Sequence, residues 1–141
     1  MAFQHEINVT WGDCDPAKIV YTGRIPNFAL DAINAFWGHH LDGDGWYQFE
    51  MDRKVGTPFV HMSLDFRHPF TPRHKLLCEV VPTRLGETSI EFRVSGRQGG
   101  KDCFEGRFVN VFTDVPSFTK RTAPEDIRAL IEPMIESAIS V

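Results

Sequence analysis

An acidic turn near the start of the chain holds the residues best suited to chemistry. Gly12, Asp13, Cys14, Asp15 and Pro16 follow one another and offer two carboxylates and a thiol. A carboxylate can attack a carbonyl carbon or take a proton from water. Pro16 biases Asp15 away from helical backbone angles, so we expect Asp15 on a loop. Taken alone, Asp15 also fits a helix N-cap or an ordinary turn aspartate.

Other reactive groups could form a cysteine nucleophile or a metal site, but the sequence supports these sites less well than a catalytic Asp15. Cys14 is a poor nucleophile candidate because carboxylates flank it on both sides and oppose formation of the thiolate. A calcium loop starting at Asp42 fails because Arg53 occupies its twelfth position. His39 and His40 are adjacent, so they project about 100° apart on a helix and cannot chelate one ion together. The sequence therefore predicts neither a metal site nor a cofactor.

The elements that must position the acidic turn are predicted from hydrophobic spacing. Strict alternation over residues 3–11 predicts a strand whose buried face includes Trp11. Helical spacing over residues 24–40 predicts a long helix with Pro26 in its first turn, and residues 46–52 fit a short second helix. Asp15 is therefore expected at a strand-to-helix junction, where unpaired helix N–H groups can stabilise an oxyanion.

The rest of the chain predicts a sheet and a closing helix. Alternation and turn signals place strands at residues 60–68, 75–85, 88–97 and 104–115, the last two joined by a tight turn at Gly99 and Gly100. In the first of these strands, Val60, Met62, Leu64 and Phe66 share the face expected to be buried. A capping pattern at residues 122–125 starts a C-terminal helix that Pro133 should bend or shorten. Short connections favour antiparallel neighbours, so we expect a single α+β domain over residues 1–141, with one sheet covering the long helix.

Composition narrows the classes of function. Hydrophobic residues make up 42% and charged residues 24% of the chain, and 12 Phe predict an aromatic core or pocket. The net charge of -4 argues against a nucleic-acid partner. No signal segment or apolar run of about 20 residues is present, so we expect a cytoplasmic protein without a membrane partner. Three cysteines without a CxxC pair predict reduced thiols.

The segment from Trp11 to Tyr21, WGDCDPAKIVY, closely resembles the signature of the 4-hydroxybenzoyl-CoA thioesterases of the hotdog superfamily. VGTP at residues 55–58 resembles a second segment of that family. The resemblance implies a hotdog fold, a five-stranded antiparallel sheet wrapped around a long helix, and hydrolysis of an acyl-CoA or aroyl-CoA thioester. It makes Asp15 the nucleophile or general base and places the backbone amides of Tyr21 and Thr22 at the oxyanion. Lys18 stands where the family has a glycine.

The same resemblance implies substrate contacts and an assembly. Asp31 falls at the position where the family has an aspartate that accepts a hydrogen bond from a phenol. Trp46 falls at the position where the family has a tryptophan that packs against the aromatic acyl ring. Arg84 is expected to contact the phosphates of coenzyme A, with Arg73, His74 and Lys75 as the other nearby basic side chains. Hotdog proteins pair across subunits, so we expect a homodimer or homotetramer with sites near the interface.

Two other functions fit the same fold. The active site of an enoyl-CoA hydratase or dehydratase resembles a pattern of an aspartate followed five residues later by a histidine. In this chain Lys18 follows Asp13 and Val20 follows Asp15 at that spacing, so the histidine is absent. A non-catalytic acyl-CoA-binding hotdog domain would use Asp15 only as a cap. Ligand binding without turnover would distinguish that domain from an enzyme.

Overall fold

The computed structural model describes residues 2–140, with side chains described through residue 135. One strand comes first, two helices and seven strands follow, and a helix ends the chain order. Two short 3₁₀ turns, Trp11–Asp13 and Thr22–Arg24, precede the long helix. In chain order the elements are β1 (Phe3–Ile7), α1 (Ile25–His40), α2 (Trp46–Met51), β2 (Val55–Gly56), β3 (Phe59–Phe66), β4 (Leu76–Leu85), β5 (Ser89–Gln98), β6 (Lys101–Val111), β7 (Thr113–Asp114), β8 (Thr119–Lys120) and α3 (Glu125–Ser140).

Five strands form one antiparallel sheet in the order β1-β4-β5-β6-β3. The short strands β2, β7 and β8 form a second, three-stranded sheet. Gly99 and Gly100 take positive φ angles of 57° and 77° in the turn between β5 and β6, as their sequence predicts, because glycine reaches these angles without steric cost. The predicted α+β arrangement is confirmed.

The long helix α1 packs one apolar face against the sheet. Pro26 lies at its first turn, where a missing N–H costs nothing. Phe36 and Trp37 are buried and meet Phe92 of β5 edge-to-face, at centroid distances of 5.3 and 5.8 Å. The core is aromatic, as the phenylalanine content predicts, and these contacts pack the helix that follows the acidic turn against the sheet.

The first strand is shorter than its alternation predicts. It ends at Ile7, and Trp11 begins a 3₁₀ turn with 73% of its surface exposed. The physical reason lies at Asp13, whose side chain accepts a hydrogen bond from the Thr10 backbone N–H and closes the turn before Trp11 can pair in the sheet. The prediction that Trp11 is buried is wrong.

The edge strand β3 has no buried face of the kind its alternation predicts. Val60, Met62 and Phe66 are 61%, 41% and 53% exposed, and Leu64 is only partly buried. Their register partners, such as Phe108 opposite Met62, face the helix side of the sheet and are buried. The prediction fails because α1 packs on β1, β4 and β5 and leaves β3 uncovered within one chain.

Two other predicted boundaries also differ. The strand expected over residues 104–115 divides at Phe112 into β6 and β7, which belong to different sheets. Helix α3 continues beyond Pro133 to Ser140 and is not shortened there. Pro133 and Ala129 are both exposed, so the Ala129 carbonyl that proline leaves without a helical donor can be hydrated.

Candidate functional site

Asp13 fixes the acidic turn from inside. Its Oδ2 accepts hydrogen bonds from the backbone N–H and the hydroxyl of Thr10, at 2.9 and 3.0 Å. Its Oδ1 lies 3.1 Å from Nε of Arg24, and Nη2 of Arg24 also donates to the carbonyl of Gly12. Asp13 is therefore a loop-stabilising partner that ties the turn to the start of α1.

Asp15 presents one free carboxylate oxygen. Its Oδ1 accepts a 2.8 Å hydrogen bond from the backbone N–H of Ala17, an interaction that orients the carboxylate. Its Oδ2 has no hydrogen-bond partner among residues 2–135. The side chain is half-buried, and Arg24 rather than Asp15 is the N-cap of α1. Asp15 is thus a turn aspartate with an oriented, available oxygen.

The loop after Asp15 folds back beside it. The Asp15 N–H donates to the carbonyl of Ile19, and Cys14 and Val20 form a β-bridge. The Tyr21 N–H donates to the carbonyl of Asp13 at 2.9 Å, so this amide is already occupied. These bonds return the chain to the turn immediately before α1 begins.

Two backbone amides at the entry to α1 remain available. Across the described part of the chain, neither the Thr22 N–H nor the Gly23 N–H has a hydrogen-bond acceptor. Unpaired N–H groups at a helix start carry partial positive charge and can bind a developing oxyanion. Of the two amides that the resemblance names, the Tyr21 N–H is occupied and the Thr22 N–H is not, and the neighbouring Gly23 N–H is also unoccupied.

A second feature is a cavity of about 430 Å³ beside Trp46. The Trp46 backbone N–H donates to Oδ1 of Asn34, which fixes the start of α2 against α1. The Trp46 ring meets Phe59 edge-to-face at 5.7 Å. The apolar lining consists of Leu30, Trp46, Pro58, Phe59, Val115 and Phe118, and the polar lining of Glu50, Thr57 and Thr113. The size and mixed lining are typical of small-molecule sites.

Asp15 and the Trp46 cavity lie toward opposite ends of β3. The Val20 N–H donates to the carbonyl of Phe70, which follows the end of β3, so the Asp15 loop is anchored there. The cavity includes Phe59, the first residue of β3. A strand rises about 3.3 Å per residue, so β3 alone spans roughly 23 Å. One chain therefore does not bring Asp15 and Trp46 into a single pocket.

A sequence profile of the thioesterase-like superfamily matches residues 9–131. The chain belongs to that superfamily. A thioesterase superfamily protein from Jannaschia sp. CCS1 is 56% identical, with a TM-score of 0.91 over 95% of this chain and 93% of the other. The predicted hotdog fold is confirmed, and so, at the level of the superfamily, is an acyl-CoA thioester hydrolase.

More distant relatives of this thioesterase carry specific names. A 1,4-dihydroxy-2-naphthoyl-CoA hydrolase from Nostoc punctiforme is 24% identical over 132 residues, covering 94% of this chain and 88% of the relative. The structure of a 1,4-dihydroxy-2-naphthoyl-CoA thioesterase from Synechocystis is 20% identical, with a TM-score of 0.81 over 93% and 96% of the two chains. That second likeness concerns the fold alone.

The substrate contacts that the sequence predicts for this thioesterase are not gathered in one place. Asp31 is exposed and does not line the Trp46 cavity. Arg84 is exposed near the end of β4, whereas Arg73, His74 and Lys75 immediately precede that strand. Lys75 also pairs with Glu6 at 3.4 Å. The basic side chains therefore form no single cluster within one chain.

The remaining reactive groups of the thioesterase offer no competing centre. Burial raises the pKa of the Cys78 thiol to about 12, with a smaller contribution from the charge of Asp31, and burial also raises the pKa of Cys103. Among residues 2–135, no group of three or more His, Cys, Asp or Glu side chains is placed to hold a metal ion. No helix in the described part is both long and apolar enough to cross a membrane.

Sequence reasoning misses three residues that shape the cavity. Asn34 caps the Trp46 backbone, Glu50 lies on the exposed side of α2, and Thr113 belongs to the second sheet. A helical asparagine, an exposed glutamate and a strand threonine are common in any protein, so their types carry no signal. Only packing between α1, α2 and β7 makes them neighbours.

Proposed function

We propose that residues 1–141 act as a single cytoplasmic thioesterase domain that hydrolyses an aroyl-CoA thioester, with Asp15 as the reacting carboxylate. The observation that carries the proposal is that one loop holds both a free Asp15 Oδ2 and the unoccupied Thr22 and Gly23 amides. Free cysteines are typical of the reducing cytoplasm, which supports that location.

The proposed chemistry follows from the loop. Oδ2 of Asp15 either attacks the thioester carbonyl carbon or removes a proton from the attacking water. In both cases a negative charge develops on the carbonyl oxygen, where the Thr22 and Gly23 N–H groups stabilise it. Coenzyme A leaves as its thiolate. If Asp15 attacks directly, water then hydrolyses the resulting mixed anhydride and restores the carboxylate.

The acyl group we propose is aromatic and hydroxylated. The support comes from the Trp46 cavity, which offers an indole and the Phe59 ring to a flat ligand. The relatives from Nostoc punctiforme and Synechocystis are named for 1,4-dihydroxy-2-naphthoyl-CoA, an acyl group of this class. A 4-hydroxybenzoyl group belongs to the same class, and Arg84 remains the proposed contact for the phosphates of coenzyme A.

The thioesterase we propose is at least a homodimer. Strand β3 lies at the free edge of the sheet and carries exposed Val60, Met62 and Phe66. An edge strand with unpaired backbone groups and exposed apolar side chains can pair with a strand of another chain. Two copies of β3 that pair antiparallel bring the end of one strand beside the start of the other. Such a pairing would set Asp15 of one chain near the Trp46 cavity of its partner.

Turnover of a panel of acyl-CoA and aroyl-CoA thioesters tests the proposed function. Release of free coenzyme A should be fastest for hydroxylated aroyl groups, and Asp15→Asn should reduce kcat by at least about a thousandfold, as loss of a nucleophile or base does. Asp42→Asn alters an exposed aspartate elsewhere and should retain activity.

Three outcomes would contradict the proposed function. One is no hydrolysis of any thioester in the panel, and another is full activity in Asp15→Asn. The third is tight binding of aroyl-CoA without turnover by the unaltered protein, which would favour the non-catalytic binding domain.

A further inference from the structure

Glu50 and Thr113 line the polar side of the Trp46 cavity, and the proposed chemistry at Asp15 gives neither residue a role. Thr113 is only 4% exposed, and its hydroxyl has no hydrogen-bond partner among the described residues. The carboxylate of Glu50 likewise makes no hydrogen bond or ion pair within residues 2–135. The Thr113 oxygen itself keeps some exposure to solvent, so it is reachable from the cavity.

Glu50 and Thr113 converge on one point above Gly56. A Cβ built on Gly56 would lie 2.4 Å from Oγ1 of Thr113 and 3.8 Å from Oε2 of Glu50. The φ angle of Gly56 is not positive, so the glycine is explained here by space and not by backbone conformation. Absence of a side chain at this position leaves a hydroxyl and a carboxylate facing the same opening.

The opposite wall is apolar and aromatic. Trp46 and Phe59 stand edge-to-face, and Phe118 adds a third ring to the lining. The indole N–H of Trp46 is buried and has no acceptor in the described part of the chain. A flat ring can therefore pack against Trp46 and Phe59 while a polar substituent on it reaches Glu50 and Thr113.

We propose that Glu50 and Thr113 select an aroyl group bearing a ring hydroxyl, which donates to the Glu50 carboxylate and accepts from the Thr113 hydroxyl. This inference rests on the proposed aroyl-CoA hydrolysis and transfers to Glu50 the role that the resemblance implies for Asp31. A phenol donating to a carboxylate forms a charge-assisted hydrogen bond, one of the stronger kinds. A plain benzoyl ring leaves both groups without a partner.

The experiment compares benzoyl-CoA with 2-, 3- and 4-hydroxybenzoyl-CoA. Wild-type protein should show a higher kcat/KM for at least one hydroxylated substrate than for benzoyl-CoA. Glu50→Gln and Thr113→Val keep the side-chain shape. Each should lower that preference, the ratio of kcat/KM for the hydroxylated substrate to kcat/KM for benzoyl-CoA, by about tenfold. Asp52→Asn, an exposed carboxylate two residues after Glu50 that does not line the cavity, should leave the preference unchanged.

The outcomes separate this inference from the proposed function. Equal losses on all four substrates, or an unchanged preference in both variants, would overturn the role of Glu50 and Thr113 while hydrolysis stands. Loss of the preference in Asp31→Ala but not in Glu50→Gln would return the role to Asp31.

If wild-type protein hydrolyses none of the four thioesters, the affinity for each ligand tests the inference instead. Calorimetry on Asp15→Asn protein should then show tighter binding of a hydroxybenzoyl-CoA than of benzoyl-CoA, and Glu50→Gln should abolish the difference. If Asp15→Asn protein with Glu50 intact binds hydroxybenzoyl-CoA and benzoyl-CoA with equal affinity, the inference is overturned.

Discussion

Lys18 donates its backbone N–H to the carbonyl of Asp15 over 2.9 Å, and within this turn its own φ angle is 68°. That angle lies in the left-handed region, which costs a side chain about 1–2 kcal/mol relative to glycine. The resemblance drawn from the sequence has glycine at this position, and the observed backbone angle is one that glycine adopts without steric cost. The turn that orients Asp15 is therefore strained by a lysine.

Replacement of Lys18 by glycine should stabilise the protein. The relieved strain exceeds the extra entropy that glycine gives the unfolded chain, so we expect the free energy of unfolding to rise by about 0.5 kcal/mol. Urea unfolding monitored by tryptophan fluorescence measures the change. Lys18→Ala retains a Cβ at the same angle and should show no such gain, so equal stability of the two variants would contradict the explanation.

A lysine at the free edge of β3 should break the proposed homodimer. Met62→Lys introduces a charge into the apolar face of the edge strand, which disfavours strand pairing. We expect sedimentation to show a shift toward monomer, with unchanged far-ultraviolet circular dichroism and loss of thioester turnover. Glu87→Lys places the same charge at an exposed loop and should leave the assembly intact. A fully active monomer would contradict a site shared between two chains.

His40 should make stability depend on pH above the range where carboxylates titrate. Burial first, and the charge of His39 second, lower the pKa of His40 from its usual value of 6.5, and its ring packs 4.5 Å from Phe36. The folded state therefore favours the neutral imidazole. This contribution is fully present above about pH 6.5 and declines as the pH falls toward the lowered pKa, because the unfolded chain then binds more protons.

Urea unfolding of wild-type and His40→Gln protein at about pH 8 and about pH 5.5 checks this dependence. The loss of unfolding free energy on acidification should be smaller in His40→Gln, which cannot titrate at that position. The two proteins share every other ionisable group, including His39. Identical losses in both would exclude a contribution from His40.

Local patterns in the sequence predict much of the fold. The helical spacing over residues 24–40 identifies α1 to within a residue, and the paired glycines at 99 and 100 identify the turn between β5 and β6. Both features depend on residues within a few positions of each other. The alternation that ends at Trp11 misleads because a side-chain bond from Asp13 outweighs strand propensity.

The sequence by itself determined the turn that carries Asp15, the helix behind it and the thioesterase superfamily. Tertiary structure alone decided that the Tyr21 amide is occupied, that Thr22 and Gly23 remain open, and that Asp31 is absent from the Trp46 cavity. It also decided that Glu50 and Thr113, 63 positions apart in the sequence, meet over Gly56. The physical reason is the separation along the sequence of the residues that interact. Turns and helices depend on residues that are near in sequence, whereas a pocket depends on how elements that are distant in sequence pack together.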